Sequence, residues 1–566
     1  MRAKVVVVLL CSVIVAMLAA ASPGEETPKI DREKYLEIAK QLAATVERTA
    51  RHQGTGLYAS AVDIETGELK NNVKNNYANW YMNGLWMLYW NTGDDKYLEW
   101  IDRQSDALWS VSADPDTGMP YIEFDLEKRA PVGDLQSHRI QYQVCAHKYW
   151  DEYMRSLRSA MKYQMVTDAA GNRMALHDIS IKDPERPGGR HAPDFFGCLD
   201  LRIPYALGTI EGRPELYDTM VDDFYAHTIR TWPSATRLWS GTMVVPHGAG
   251  MFSPLYKGDG SRPHAWWKPG MFFPTSVWSG TIADDTYTGL ILRDLAGKEE
   301  LMNIVEDQTR LALKYCFDED EHYFYQGVST ITGTPVDPKP RWHTNWEFAL
   351  TMYILHAETG DPEWLEAAEK NYRFVVDNHA HPGHYAMGQG SDWNVPQVVL
   401  LSLFRYHQTG ETRYLEDAIM VADYLIENRL TRRGDDVFVG VDGEMLLREA
   451  GDMIAMLVCL SDEGLPVVSS RYFLFPVGIR SVSFPVFENA FVTRYHTRDD
   501  GVLEAKIEGG DGMTEDIYVM HLSGDIEEVK VNGKRVDFSE TRIAGHRYIM
   551  VPDIRMGKVH LEVFSP

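Results

Sequence analysis

The sequence predicts a mainly α protein: an (α/α)6-type toroid of helical hairpins followed by a C-terminal β-sandwich-like domain. Three observations carry that expectation. A Thr-Gly-Asp/Glu phrase recurs at the ends of apolar helical runs: "NTGDDKYLEW" from Asn91, "ETGDPEWLEA" from Glu358 and "QTGETRYLED" from Gln408. The last two copies, at Gly360 and Gly410, are 50 residues apart, the length of one helical hairpin. After about Leu465 the helical period gives way to alternation of apolar and polar residues, as in "DIYVMHLSGDIEEVKVNGKRVDF".

Residues 1–21 read as a secretory signal. Arg2 and Lys4 form a positive start, Val5 to Leu18 is apolar, and Ala19-Ala20-Ala21 suits cleavage. An uncleaved anchor is the alternative, but the run is at the short limit for a bilayer span of roughly 17 residues. The expectation is a secreted or periplasmic protein with no stable membrane insertion after cleavage.

The toroid is expected over residues 30–462. Each phrase follows an apolar and aromatic run at helical spacing, "WYMNGLWMLYW", "FALTMYILHA" and "VVLLSLFRYH". The glycine suits the left-handed position that ends a helix, and the acidic residue after it suits the positive start of the next. Weaker copies stand at "LGTIEGRPELYD" from Leu207 and "LAGKEELMN" from Leu295. A hairpin cannot bury its apolar face alone, so neighbours must stack. An open solenoid is the alternative to a closed ring. Residues 232–278 interrupt the array with a loop rich in Gly, Pro and aromatics that carries His247 and His264. Loops of this length in compact domains are usually functional. Residues 465–566 form the β-domain, with "VNGKRV" marking a hairpin at Asn532-Gly533. It serves either as a lid or prop for the barrel or as a carbohydrate-binding module.

The formal charge of −26, or −28 without Arg2 and Lys4, argues against nucleic acid and anionic membranes as partners. The chain carries 15 Trp and 29 Tyr, more than a core usually needs, which points to stacking surfaces. Outside the leader, Cys145, Cys198, Cys316 and Cys459 are far apart and form no CxxC pair. No cofactor is expected, because no nucleotide-binding Gly-rich loop, GxSxG or HExxH occurs. No metal is expected either: His379, His381 and His384 have ligand-like spacing but no acidic partner at a recognisable interval.

Trp80, Trp278, Trp342 and Trp346 fall at or near the starts of inner helices, where an aromatic mouth would suit sugar rings. Asp284 and Asp285 head the helix "ADDTYTGLILRDLAG". Capping is the commonest use of Asp there. Glycoside hydrolysis also needs a carboxylic acid and usually a second carboxylate. Adjacent carboxylates raise one pKa, so one Asp could stay protonated. Glu347 in "RWHTNWEFAL" is a second carboxylate candidate, and His381 or Tyr385 could act as a base.

"NWYMNGLWMLYWNTGDDKYLEWID", "WSGTIADDTYTGLILRDL" and "EDQTRLALKYCFDEDEHYFYQGVSTITGTP" resemble, in order, stretches of the unsaturated glucuronyl and rhamnogalacturonyl hydrolases. "RWHTNWEFALTMYILHAETGD" stands where that family has a "WARGNGW" helix, without its glycine pair. The resemblance covers residues 75–105 and 275–420. It implies an (α/α)6 barrel that acts on uronate-bearing oligosaccharides without cofactor. In that family one Asp protonates the double bond of an unsaturated uronide and activates water, and the matching position is Asp284. Arg341, Trp342, His343, Trp346, Trp80, Trp278, His247 and His264 are the substrate-binding candidates. A toroid followed by a β-domain also resembles polysaccharide lyases, which use a Tyr or His base beside a charge-neutralising group. Tyr385 with His381, or His343 with Arg341, could serve in that way. The leading expectation is a glycoside hydrolase acting on uronic-acid-containing glycans. The alternatives are a lyase and a non-catalytic glycan-binding protein.

Overall fold

The computed structural model describes residues 30–70, 72–136, 147–167, 173–175, 178–179, 202–216, 276–329, 332–340, 342–379, 395–440, 443–462, 477–479, 486–487, 490–521 and 524–565. Within them the helices are α1 (Arg32–Thr49), α2 (Asn75–Thr92), α3 (Asp95–Ala107), α4 (Trp150–Gln164), α5 (Arg202–Glu211), α6 (Ser279–Ala296), α7 (Glu300–Cys316), α8 (Trp342–Thr359), α9 (Pro362–Asp377), α10 (Val395–Thr409), α11 (Thr412–Arg429) and α12 (Leu447–Ser461).

Ten of these helices are of two kinds. α2, α6, α8, α10 and α12 are apolar nearly all round and buried, α12 everywhere except Arg448. A helix without a polar face must be covered on every side. α1, α3, α7, α9 and α11 are amphipathic, with one buried stripe and one wet face. The first set is the inner wall and the second the outer. α2 pairs with α3, α6 with α7, α8 with α9 and α10 with α11.

The recurrent phrase is the joint of these pairs. Gly93, Gly360 and Gly410 take φ of 69°, 71° and 72°, and each amide bonds a carbonyl of the helix it ends, Tyr89, His356 and Tyr406. The preceding threonines donate to Leu88, Leu355 and Arg405 carbonyls. Their hydroxyls then accept from the amides of Asp94, Asp361 and Glu411, each at 3.2 Å. Asp94 and Asp361 cap the next helix by accepting from Lys96 and Glu363 amides.

The array closes into a ring. α12, last in sequence, packs on α1 and α2, the first two helices. Strand Ala61–Asp63 pairs antiparallel with Glu444–Leu446, which leads directly into α12. A Cβ on Gly451 would lie 2.4 Å from the Trp80 carbonyl oxygen, so α12 and α2 touch backbone to backbone. The open solenoid is therefore excluded.

The inner helices run in the same direction. Arg293 near the end of α6 pairs with Glu358 near the end of α8, and the Arg405 guanidinium of α10 lies 4.1 Å from the Tyr353 ring of α8. Gly451 of α12 meets Trp80 of α2 at the N-terminal ends of both. Short strands lead into them at that end: Asn72–Lys74 before α2, Ser276–Trp278 before α6, Pro335–Pro340 before α8 and Glu444–Leu446 before α12.

Among the described residues the C-terminal strands form one hydrogen-bonded eight-stranded sheet. Its longest strands, Leu503–Met520 and His546–Phe564, pair antiparallel and shift register between Gly509 and Thr514 and between Glu515 and Ile517. Such bulges bend a strand and sharpen its twist, which lets one sheet cover its own core. Asn532 and Gly533 form the expected two-residue hairpin, with φ of 50° and 75°. The sheet abuts the C-terminal ends of the inner helices. Trp90 Nε1 of α2 donates to the Val492 carbonyl at 2.9 Å, and Asp462 after α12 accepts from the Thr497 amide at 2.9 Å.

Candidate active site

The sheet's tip locates the barrel interior. Strands Ser539–Ile543 and His546–Phe564 are joined by Ala544 and Gly545, both at positive φ. The Ala544 amide donates to Asp294 Oδ2 of α6 at 2.6 Å. The Tyr287 hydroxyl of α6 lies 3.1 Å from His546 Nε2. A Cβ on Gly545 would lie 2.8 Å from Ile354 of α8, and the His546 ring is 5.1 Å from the Phe404 ring of α10. One turn thus touches three inner helices, and the faces it touches look into the ring. The barrel is floored at its C-terminal end.

Helical periodicity carries those faces upward, at about 1.5 Å per residue. On α8, Glu347 precedes Ile354 by seven residues and shares its face, about 10 Å higher. Glu347 is fully buried, as are both its carboxylate oxygens. On α10, Gln397 stands seven residues before Phe404 in the same way. It is 4% exposed, and among the described residues its Oε1 has no hydrogen-bond partner. Thr344, fully buried on the first turn of α8, likewise has a hydroxyl without a partner.

α6 carries the carboxylate pair. It begins at Ser279, so Asp284 and Asp285 are its sixth and seventh residues and not its cap. The expected start of this helix at the carboxylates is corrected by five residues. Ser279 and Gly280 of the Trp-Ser-Gly corner already belong to the helix, with the Ser279 hydroxyl bonded to the Tyr325 carbonyl of the adjoining strand. Around the helix, position 284 is about 60° from Tyr287, which faces the floor, and position 285 about 160°. Gly289, about 200° from Tyr287, packs against Val305 of outer helix α7. The backbone therefore puts position 284 on the inner side of α6 and position 285 towards the outer layer. The side chains of both lie outside the described residues.

α2 and α12 complete the N-terminal end. Trp80 is 6% exposed, and the Arg448 guanidinium lies 4.6 Å from its ring and 5.1 Å from that of Tyr77. Asn79 is fully buried, and neither its Oδ1 nor its Nδ2 has a partner. Glu449 and Asp452 are buried on the first two turns of α12. Buried polar side chains are normally hydrogen-bonded. Their concentration at one end of otherwise apolar helices is the signature of a polar pocket.

The remaining sequence candidates divide as follows. Trp346 is 3% exposed and belongs to the wall of α8. Trp278 ends the strand before α6, and Trp342 and His343 open α8, all three at the rim; their side chains lie outside the described residues. Arg341, His247, His264, His381 and Tyr385 also lie outside them, as do Cys145, Cys198 and residues 1–21. His379, the first of the three clustered histidines, bonds the Val376 carbonyl and meets the Tyr424 ring edge-on at 4.8 Å, an outer-layer role. Cys316 and Cys459 are buried free thiols. Among the described residues no group of three His, Cys, Asp or Glu is placed to hold a metal, and no helix is long and apolar enough to cross a membrane.

Sequence reasoning missed Asn79, Thr344, Gln397, Arg448, Glu449 and Asp452. The signal that finds them is positional: each is a polar residue in the first two turns of a helix that is otherwise apolar on all sides. A groove of about 390 Å³ between α7 and α9 is a different feature, on the outer layer. Of its three cations, Arg310 pairs with Asp361 and Glu363, Lys370 pairs with Glu366, and Lys314 lies over the Tyr315 ring.

No family model matches the sequence, and no curated protein is significantly similar to it. Solved structures similar to this chain include the unsaturated glucuronyl hydrolase of Bacillus sp. GL1, at 10% identity over 76% of this chain and 96% of that one, with a TM-score of 0.39. That is the family which the sequence motifs resemble. Two others are an inactive variant of an α-1,6-mannanase of Salegentibacter sp. HEL1_6 bound to α-1,6-mannotetrose (12% identity, 75% and 98% coverage, TM-score 0.42) and the cellobiose 2-epimerase of Bacillus thermoamylovorans B4167 (10%, 75% and 99%, TM-score 0.43).

Proposed function

We propose that the chain is an exported glycoside hydrolase acting on uronate-bearing oligosaccharides, with Asp284 as general acid and base. The observation that carries this reading is the placing of two acidic positions, 284 on α6 and Glu347 on α8, on inward faces of neighbouring inner helices above a closed floor. Glycoside hydrolysis needs that pairing: one carboxyl delivers a proton to the departing or unsaturated group, and the second stabilises developing positive charge or directs water. Burial at Glu347 strengthens any electrostatic interaction made there. Gln397, Thr344 and Asn79 supply neutral hydrogen-bonding groups of the kind that orient sugar hydroxyls. The motif resemblance supports the uronate and position 284 over 285, and the inward place of 284 on the helix is consistent with it.

The test is ultraviolet absorbance on two substrates. With unsaturated uronyl oligosaccharides the absorbance should fall as the double bond is consumed. With intact polyuronides it should not rise, as a lyase would make it. Asp284→Asn should lower kcat by on the order of 10²–10⁴-fold, and Glu347→Gln should lower it as well. Full activity in Asp284→Asn ends the assignment, and a rising signal on polyuronide ends the hydrolase reading.

A further inference from the structure

The C-terminal sheet does more than cover the barrel. We propose that His546 is a positioning residue for the acidic turn of α6: the Ile543–His546 tip fixes α6 in register with α8 and α10, so a residue of the β-region sets the geometry of a site on the helical one. This rests on the reading of position 284 as catalytic.

Four contacts from three consecutive residues make the case. Ala544 donates its amide to Asp294, two turns below Tyr287 on the same face of α6. Gly545 lies against Ile354, where any side chain would collide at 2.8 Å. His546 Nε2 meets the Tyr287 hydroxyl at 3.1 Å while its ring packs on Phe404. Tyr287 is three residues after Asp284, one turn away, so whatever holds Tyr287 holds the turn that carries Asp284.

The tip is suited to that work. Ala544 is fully buried and His546 is 5% exposed. Burial pushes His546 down to about 4, so its ring is uncharged at neutral pH. The same burial pushes the Tyr287 phenol far up, so that hydroxyl keeps its proton. A phenol that keeps its proton and a neutral imidazole form a complementary donor and acceptor pair. A two-residue turn with both φ positive is a stiff connection. Elsewhere the sheet also meets the ring through Val492 and Thr497 at α2 and α12.

The experiment uses the full chain and two readouts. Hydrogen exchange by mass spectrometry follows peptides of α6, of outer helix α11 and of strand Leu503–Met520 in wild type, Tyr287→Phe, His546→Ala and His546→Gln. Tyr287→Phe removes one oxygen and is the safeguard should His546→Ala fold poorly. Both should raise exchange across residues 281–288 by about five- to tenfold, the scale of one lost hydrogen bond, with α11 unchanged. His546→Gln, which keeps a hydrogen-bonding group there, should restore most of the protection. On the unsaturated uronyl oligosaccharides kcat should fall in parallel while KM stays near wild type. Unchanged α6 exchange, an equal rise in all three peptides, or a local rise without loss of kcat each overturns the proposal. If the wild type turns over none of these substrates, the proposed function fails by itself, and the exchange data still decide whether the tip holds α6.

Discussion

On the proposed function, Gln397 and Thr344 trade stability for binding. Each places a polar atom inside the protein without a hydrogen-bond partner. A buried oxygen in that state costs about 1–3 kcal/mol relative to one that is satisfied. Removing the polarity should therefore stabilise the fold and weaken the site. Gln397→Leu and Thr344→Val are expected to raise stability by about 1 kcal/mol, read as a higher urea midpoint. They should raise KM for the oligosaccharide about tenfold, the worth of one hydrogen bond of about 1.4 kcal/mol. Lower stability in both variants would mean that these groups serve the core. Glu504 shows the opposite design on the β-sheet. Burial pushes its carboxyl up, but hydrogen bonds from His496 and Lys506 outweigh that and hold it at about 2. A carboxyl depressed in the folded state stabilises above its unfolded pKa, and that contribution is lost as pH falls from about 4.5 towards about 2. Glu504→Gln should lower stability at neutral pH and change it little near pH 2, which acid titration of the unfolding midpoint would read.

At the scale of elements, two glycines separate local conformation from packing. Gly360 ends α8 at φ 71° with nothing near the place of a Cβ. Gly360→Ala should cost only the left-handed conformation, about 1 kcal/mol. Gly451 is helical, but a Cβ there would lie 2.4–2.6 Å from the backbone of Trp80 and Tyr81. Backbone cannot swing aside as a side chain can, so Gly451→Ala should force α12 off α2. A loss of about 3 kcal/mol or more is expected, with opening of the ring at its seam. Thermal midpoints of the two variants check the ranking, and equal losses would contradict it. The hairpin joints were legible in the sequence because one phrase, Thr-Gly-Asp or Glu, satisfies both helix ends at once and must recur wherever the geometry does. The β-sheet was legible from its alternation. The start of α6 was not, because Trp-Ser-Gly has the composition of a corner, and only pairing of Ser276–Trp278 with Gly327–Ser329 shows that the chain enters the helix there. Nor was the seam between Ala61–Asp63 and Glu444–Leu446, which joins residues almost 400 positions apart by backbone bonds alone. Of the candidate site, the acidic positions 284 and 347 stood out in the sequence as carboxylates. Gln397, Asn79 and Asp452 did not, because a polar residue in an apolar helix carries no meaning until the helix has an inside and an end.

For the molecule as a whole, three buried and uncharged imidazoles set the response to acid. Burial pushes His407 of α10, His521 of the sheet and His546 at the floor each down to about 4. His407 Nε2 and His521 Nδ1 have no hydrogen-bond partner that would favour a proton. In the unfolded chain these rings titrate near 6.5. Between about pH 6.5 and about pH 4 the unfolded state therefore binds protons that the native state refuses, and stability must fall as pH falls. Each site contributes up to about 3 kcal/mol across that window. The net charge of −26 works in the other direction, because protonating surface carboxylates relieves self-repulsion. Those carboxylates titrate mostly near 4, at the bottom of the window, so the histidines dominate above it. The urea midpoint should drop steadily from about pH 7 to about pH 4.5. His407→Phe keeps a ring in the cavity and removes one of the three proton sites, so it should reduce that slope by roughly a third. A midpoint that stays level or rises on acidification would show that the three rings do not control the acid response.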